Sequence, residues 1–168
     1  MGSPTRGVRG SATMGAMRIE RDDLTGDDVA RFLAEHLAQM HAQSPPDSVH
    51  ALGLEELRRR EVTFWTVRDD DGVLVGCGAL KELDPAHAEV KSMRTDPARR
   101  RQGIASLLLR HLIDEARSRG YRRLSLETGS AEHFAAARAL YTAHGFAPCP
   151  PFADYTDDPL STYLTLAL

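Results

Sequence analysis

The chain has 168 residues, of which 42% are hydrophobic and 27% charged, and its formal net charge is −3 at pH 7. This size and composition are typical of one soluble globular domain with a sizeable core. The slightly acidic balance gives no overall attraction to nucleic acid or to an anionic membrane, so we expect neither as a partner. Two cysteines do not make a disulfide framework or a zinc set. We therefore expect no metal. Because no bilayer-spanning stretch and no signal-peptide pattern are found, we expect a cytoplasmic protein.

Residues 1–16 differ in composition from the rest of the chain. They are rich in Gly, Ser, Thr and Arg and show almost no apolar periodicity. This predicts a disordered or expression-derived segment outside the fold, with the natural start at Met1, Met14 or Met17. Residues 17–168 show no internal repeat, so they are expected to form a single domain.

The first structured part contains two predicted helices. Apolar residues recur at helical spacing from Gly26 to about Gln43, and two prolines at 45–46 then break this helix. A second, short helix is expected to begin at Asp47 or Ser48 and to continue through Leu57. The polar connection between them has the length of a substrate-facing loop.

Four short segments predict strands, and the last three of them are expected to form an antiparallel meander. A first strand is expected at 17–20, and β-branched and aromatic residues predict a second one at 61–68. An Asp-Asp-Gly turn leads into a returning strand at 73–80, and an Asp-Pro turn leads into another at 88–95. Consecutive strands joined by such tight turns pair antiparallel.

The second half predicts a strand between two helices. The clearest helix precedes Gly120, and its apolar stripe consists of Ala105, Leu108, Leu109, Leu112, Ile113 and Ala116. A strand at 123–127 follows, and the strand-helix-strand order implies a parallel neighbour with right-handed crossover. Another helix is expected at about 132–144, and Phe146 with residues 163–168 can form a closing hairpin.

A basic turn separates the strand at 88–95 from the clearest helix. It carries Arg99, Arg100 and Arg101, and Gly103 follows. The first backbone N–H groups of a helix lack internal partners and lie at the positive end of its dipole, so they bind phosphate well. Gly103 leaves the backbone bare where a phosphate would approach. The pattern is neither a Walker A loop nor the Rossmann glycine fingerprint.

Two motifs carry a resemblance to a known family. Arg100-Arg101-Gln102-Gly103-Ile104-Ala105 resembles the Arg/Gln-x-x-Gly-x-Gly/Ala signature of the GNAT N-acetyltransferases, and Leu140-Tyr141-Thr-Ala-His-Gly145-Phe146 resembles their Leu-Tyr-x-x-x-Gly-Phe. In element order the resemblance covers residues 17–168, and it is closest to small bacterial GNAT proteins. It implies an α/β (α+β) fold with a mixed sheet of about six or seven strands, an antiparallel N-terminal meander, splayed parallel central strands and flanking helices.

The resemblance also implies a function. The expected activity is acetyl-CoA-dependent acetyl transfer to a primary amine of a small molecule or amino-acid-like substrate, by direct attack on the thioester and without a metal. Two alternatives stay open: acetylation of a protein or peptide, and a non-catalytic acyl-CoA sensor. Family members often dimerise, so a homodimer is one expected assembly.

The resemblance places the cofactor beside the basic turn. Backbone groups of Met93, Arg94 and Thr95 would pair with the pantetheine arm as though it were another strand. The pyrophosphate would be held at the helix start by Arg100, Arg101, Gln102, Gly103, Ile104, Ala105 and Ser106. Where many family members carry an asparagine that contacts the cofactor, this chain has Phe134, whose ring could pack on the pantetheine arm.

The catalytic candidates are a tyrosine and two glutamates. By its position in the family motif, Tyr141 would be the general acid that protonates the departing thiolate, although a tyrosine in an apolar helix stripe is also a common core residue. Glu89 would be the general base, unless it is a strand residue paired with Lys81 or Lys91. Glu127 is the competing base, with a structural hydrogen bond as its alternative role.

Further residues are candidates for substrate binding. Lys91, Arg94 and Tyr155 could bind a substrate carboxylate, and Glu127 could also face the substrate. Three histidines could line the cleft, namely His41, His50 and His87. Each of these side chains has a solvated surface position as its alternative.

Overall fold

The computed structural model describes residues 15–168. The segment 1–16, predicted to lie outside the domain, falls outside this range except for Gly15 and Ala16. The N–H of Ala16 donates to the Asp70 carboxylate at 3.0 Å. Within the described range, no helix combines the length and apolar character needed to cross a bilayer.

A single mixed sheet of seven strands forms the centre of the fold, in the order β1-β2-β3-β4-β5-β7-β6. Only β4 and β5 pair in parallel, and all other neighbours are antiparallel. The sequence prediction of an N-terminal antiparallel meander and a parallel central pair is therefore confirmed. The strands are β1 Arg18–Arg21, β2 Val62–Arg68, β3 Leu74–Asp84, β4 His87–Thr95, β5 Arg123–Gly129, β6 Ala147–Pro148 and β7 Ser161–Ala167.

Four α-helices flank the sheet: α1 Asp27–Gln43, α2 Leu54–Leu57, α3 Ile104–Ser118 and α4 Ala135–Ala143. The second helix was predicted to run from residue 47 or 48 through Leu57, and this is wrong. A 3₁₀ turn at Pro46–Ser48 is followed by extended chain, and α2 begins only after Gly53. Gly53 falls inside the predicted helix, where a glycine is unfavourable, and in the structure it is the N-cap of α2.

The two faces of the sheet bury separate apolar clusters. On one face, α3 places Leu108, Leu109 and Leu112 against the apolar residues of the central strands, including Leu124 and Leu126. The other face is covered by α1 and α2, which pack on a second set that the sheet supplies from β2 and β3. Each fully buried leucine contributes about 1.5–3 kcal/mol, so the two layers fix how the strands are oriented.

A β-bulge interrupts β4. The register with β3 shifts between Cys77 and Ala79, opposite Ser92, whose φ is +56°. Positive φ is uncommon for a serine, and a bulge changes which side of the sheet the following residues face. Lys91 and Arg94, three positions apart, therefore both point to the α1 side. The simple alternation expected along 88–95 is thus broken at this point.

The parallel pair opens towards its C-terminal end. β4 and β5 are paired only at His87 with Arg123, Ala88 with Leu124 and Glu89 with Ser125. Both strands continue beyond these pairs, to Thr95 and Gly129. The edge of β4 that faces β5 is consequently unpaired beyond Glu89. We call the space between the diverging strands the β4–β5 gap.

Candidate active site

The turn between β4 and α3 presents backbone N–H groups at one end of the β4–β5 gap. The first hydrogen bond of α3 runs from the Leu107 N–H to the Gly103 carbonyl at 2.9 Å. The preceding amides of the helix therefore lack an intrahelical acceptor. Gly103 and Arg101 both have positive φ, +78° and +63°, which curls this turn around its own N–H groups.

The side chains of the turn have different roles. The Arg99 guanidinium donates to Asp69 at 2.9 Å and to the Gln102 amide oxygen at 3.0 Å, so it fastens the turn to the neighbouring β2–β3 hairpin. Arg100 and Arg101 are exposed. These two arginines can therefore add positive charge beside the amides. Ile104 is buried in the core, so it contributes only its backbone to the turn.

A histidine that the sequence analysis did not single out connects α3 to α4. Ser106 Oγ lies 3.0 Å from His144 Nε2, and His144 Nδ1 lies 2.8 Å from the Leu140 carbonyl. His144 follows α4 directly and lies three residues after Tyr141. The contact therefore ties the start of α3 to the helix that carries the acid candidate. Ser106 and His144 are 38 residues apart, so no local pattern could have indicated the pair.

Tyr141 lies on the α3 side of the sheet. It is 7% exposed, belongs to the α3 cluster and packs edge-on against Phe146 at 5.8 Å. Burial raises the pKa of the Tyr141 hydroxyl, and the charge of Glu127 raises it further. The phenol therefore keeps its proton near neutral pH. It also shares an electrostatic environment with a carboxylate on the opposite face of the sheet.

A buried polar cluster occupies the α1 side. Glu89 is 2% exposed and accepts a hydrogen bond from the Tyr155 hydroxyl at 2.5 Å. Lys91 Nζ lies 3.3 Å from the same carboxylate oxygen, and it donates to Tyr155 and to the His50 carbonyl, both at 2.9 Å. Burial, followed by the charge of Glu89, raises the pKa of Tyr155, so its hydroxyl remains a donor.

Glu127 lies beyond the part of β5 that is paired with β4, although it still pairs with Tyr163 of β7. It is two positions after Ser125, the partner of Glu89, and therefore points to the same α1 side. Burial raises the pKa of the Glu127 carboxyl, and the charge of Glu89 acts in the same direction. Ser161, His50 and Lys91 oppose this rise. Glu127 is half-buried, so it is more accessible than Glu89.

Two loops cover this side of the gap. The α1–α2 loop, residues 44–53, and the β6–β7 loop, residues 149–160, are joined by a hydrogen bond from Ser48 Oγ to the Asp158 carboxylate at 2.7 Å. The His50 and Tyr155 rings meet edge-on at 5.1 Å. The sequence analysis expected the first loop to face substrate. It missed Ser48 and Asp158, which are 110 residues apart.

The remaining candidates on β4 are placed by the contacts of their side chains and by their pairing with β3. The Arg94 side chain turns towards α1, where it donates to Gln39 at 3.0 Å and stacks on Phe32, so only its backbone remains beside the gap. Met93 packs on the α3 side, where a Cβ on Gly78 would come within 2.8 Å of its sulfur. Thr95 is the last residue of β4 and pairs with β3.

Three further candidates are placed as follows. The Phe134 ring lies directly on Gly129, where an added Cβ would overlap its Cδ2 and Cε2 atoms. His87 contacts Ser125 Oγ at 2.7 Å at the closed end of the strand pair, and His41 is exposed on α1. Among residues 15–168, no cluster of His, Cys, Asp and Glu is arranged to hold a metal ion.

Diverging parallel strands, an amide-lined turn at the start of a helix, and ionisable groups on both sides of the gap together form the candidate site. Comparison with known proteins identifies the family. The sequence model of the Acetyltransferase (GNAT) family matches residues 29–146. The chain therefore belongs to the GNAT N-acetyltransferases and is an acyltransferase, as the sequence motifs predicted.

Individual relatives agree with this assignment. The N-acetyltransferase YsnE of Bacillus subtilis (strain 168) is 55% identical over 152 residues, which span 90% of this chain and all of YsnE. A Klebsiella pneumoniae crystal structure described as an acyl-CoA N-acyltransferase is 30% identical, with a TM-score of 0.74 over 90% of this chain and 97% of that one. A GNAT acetyltransferase from Elizabethkingia anophelis with acetyl-CoA bound shares the fold, at 17% identity and a TM-score of 0.61 over 90% of this chain and 98% of that one.

Proposed function

We propose that this protein transfers the acetyl group of acetyl-CoA to a primary amine of a small molecule. One observation carries the proposal. The β4–β5 gap has an amide-lined turn at its end, a protonated phenol on one side and a carboxylate on the other. Acetyl transfer to an amine needs a held thioester, a proton acceptor for the ammonium and a proton donor for the sulfur.

The residues around the gap fit acetyl-CoA. The amides from Arg101 to Ser106, with the exposed Arg100 and Arg101, suit a pyrophosphate because they offer donors without internal acceptors beside positive charge. The unpaired backbone edge of Met93, Arg94 and Thr95 suits the amide groups of a pantetheine arm. When bound, acetyl-CoA would supply a thioester carbon that an amine can attack.

The surroundings of Tyr141 support the proposed acid role. A buried phenol whose pKa is raised is fully protonated at neutral pH and is available as a proton donor. A non-catalytic acyl-CoA sensor would need neither this phenol nor a carboxylate with a raised pKa at the same gap. Perturbed ionisable groups of this kind are typical of catalytic sites.

The α1 side of the gap, where we expect the acceptor amine to bind, is covered by loops, and this favours a small substrate over a protein or peptide. The two covering loops are held by the Ser48–Asp158 hydrogen bond and by the contacts of Lys91 with His50 and Tyr155. An extended peptide would need an open groove, whereas these contacts hold the two loops together. A small amine needs only local access to the carboxylate.

Isothermal titration calorimetry with acetyl-CoA, and with CoA and ATP as controls, tests the proposal. We expect micromolar binding of acetyl-CoA and no response to ATP. A panel of small amines and of peptides is then assayed for release of the CoA thiol. If no CoA species binds, the proposed function is wrong. If the peptides react and the small amines do not, only the substrate class is wrong.

A further inference from the structure

Two glutamates share the α1 side of the sheet, but they stand in different parts of the strand pair. Glu89 is the last residue of β4 that is paired with β5. Glu127 lies two residues beyond its partner Ser125, where the strands have already separated. Of the two glutamates, Glu127 is therefore the one that borders the β4–β5 gap.

The Glu89 carboxylate is already occupied by protein groups. Its Oε1 receives the Tyr155 hydroxyl at 2.5 Å and lies 3.3 Å from Lys91 Nζ. Breaking a buried pair of this kind is strongly unfavourable, because one charge is left uncompensated. An incoming ammonium would have to displace Lys91 to reach this oxygen.

Glu127 has the opposite character. It is half-buried, and its negative charge acts on Tyr141, which belongs to the cluster on the other face of the sheet. Glu127 is therefore a carboxylate on the α1 side whose charge reaches Tyr141. The titratable groups that act on Glu127, or on which it acts, are Glu89 and Lys91 of β4, His50 and Tyr155 of the two loops, Tyr163 of β7, and Tyr141 of α4.

We propose that Glu127 accepts the proton of the acceptor ammonium, and that Glu89 is a positioning residue. Glu89 holds Tyr155 and Lys91, and through them it fixes the β6–β7 loop and the backbone of His50 in the α1–α2 loop. This division of roles rests on the proposed function. The raised pKa of the Glu127 carboxyl agrees with it, because a base works best when its pKa approaches the working pH.

The proton balance is complete with these residues. Glu127 takes one proton from the ammonium, and the freed nitrogen lone pair forms the C–N bond as the C–S bond breaks. Tyr141 gives its proton to the sulfur and recovers one from the nitrogen, which must lose a second proton to become an amide. Glu127 finally releases its proton to water, so the net products are the amide, the thiol and one proton.

Paired substitutions test the assignment. Because a positioned base contributes about 10²–10⁴ in rate, we expect Glu127→Gln to lower kcat at least 100-fold and to remove the limb of the pH profile that reports the base. Acetyl-CoA affinity in calorimetry should stay within about twofold. Glu89→Gln should instead raise the acceptor KM about tenfold, change kcat only a few-fold and keep the limb. Glu61→Gln, at an exposed position before β2, is the matched control.

A second substrate sharpens the distinction. A fluorinated acceptor analogue has a more acidic ammonium, so a larger fraction of it is neutral and needs no base. We expect the rate deficit of Glu127→Gln to shrink with this analogue, whereas the KM defect of Glu89→Gln should not. If Glu89→Gln alone does not fold, the neutral pair Glu89→Gln/Lys91→Met replaces both buried charges and serves in its place.

Carbon-13 NMR of the side-chain carboxyls in the protein without ligands gives a readout independent of turnover. Glu127 should titrate above the usual range of a glutamate, and its resonance should disappear in Glu127→Gln. The inference is overturned if Glu89→Gln loses the limb of the pH profile that reports the base while Glu127→Gln keeps it. That result would leave the proposed function intact, whereas a wild-type protein that binds no acetyl-CoA would refute the function itself.

Discussion

Replacing Tyr141 by phenylalanine removes the acid candidate with little change in packing. The pKa of the Tyr141 hydroxyl is raised by burial and by the charge of Glu127, and no hydrogen bond contributes to that rise. Removing it should therefore leave the free energy of unfolding within about 1 kcal/mol of wild type, since no hydrogen bond is broken. The fold and the acetyl-CoA site should be retained.

The catalytic effect should be much larger. A positioned general acid contributes about 10²–10⁴ in rate, which corresponds to about 3–5 kcal/mol of transition-state stabilisation. We expect kcat of Tyr141→Phe to fall by this factor, and the dissociation constant of acetyl-CoA to change less than about twofold. Steady-state release of the CoA thiol and calorimetry measure the two quantities separately.

Tyr121→Phe is the matched control. Tyr121 is also a buried tyrosine of the α3 cluster, but its hydroxyl donates to Glu82 at 2.6 Å. Its loss should cost about 1 kcal/mol of stability and leave the rate unchanged. A Tyr141→Phe protein with wild-type kcat would refute the acid role. Equal losses of kcat in both variants would indicate a general packing effect instead.

Three further substitutions test the site and its support. Gly103→Ala and its control Gly120→Ala should each lower the free energy of unfolding by about 1 kcal/mol, because both glycines have φ near +80° with open space around an added Cβ. Only Gly103→Ala should weaken acetyl-CoA binding, by about tenfold in calorimetry. Gly129→Ala should lower stability by about 1–3 kcal/mol through overlap with Phe134, and adding Phe134→Ala should restore the melting temperature. Lys91→Met should cost about 3–5 kcal/mol in urea unfolding, because it leaves its buried carboxylate partner unpaired. A melting temperature equal to wild type in the single variant Gly129→Ala or in Lys91→Met would contradict the packing described here.

The parts of the fold that sequence predicted well are encoded locally. The apolar stripe of α3, the glycine before it and the Asp-Asp-Gly hairpin each lie within one short stretch, and their conformations follow from neighbouring residues. The bulge at Ser92 has no such signal, because a serine with positive φ is not announced by glycine or asparagine. Its effect, which brings Lys91 and Arg94 to the same side, was therefore unpredictable.

The candidate site was predictable in its members but not in their roles. Glu89, Glu127, Lys91 and Tyr155 could all be picked out from the sequence and the family motif. Which carboxylate is occupied depends on contacts such as Tyr155 with Glu89, across 66 residues, and Lys91 with the His50 carbonyl, across 41. Such contacts exist only after the chain has folded, because loops far apart in sequence meet over the sheet.

In the proposed mechanism, the divergence of β4 and β5 would allow one short stretch of sheet to carry both halves of the chemistry. In a fully paired sheet, residues on opposite faces are separated by the backbone hydrogen-bond layer, so Tyr141 and Glu127 could not act on the same substrate atoms. Where pairing stops after Glu89, β4 and β5 are no longer joined by that layer, and the charge of Glu127 raises the pKa of Tyr141 on the other face. The closed half of the strand pair then has a different task. It holds Glu89 and its partners, and in the proposed mechanism it would keep the two covering loops in place while the open half admits the reacting groups.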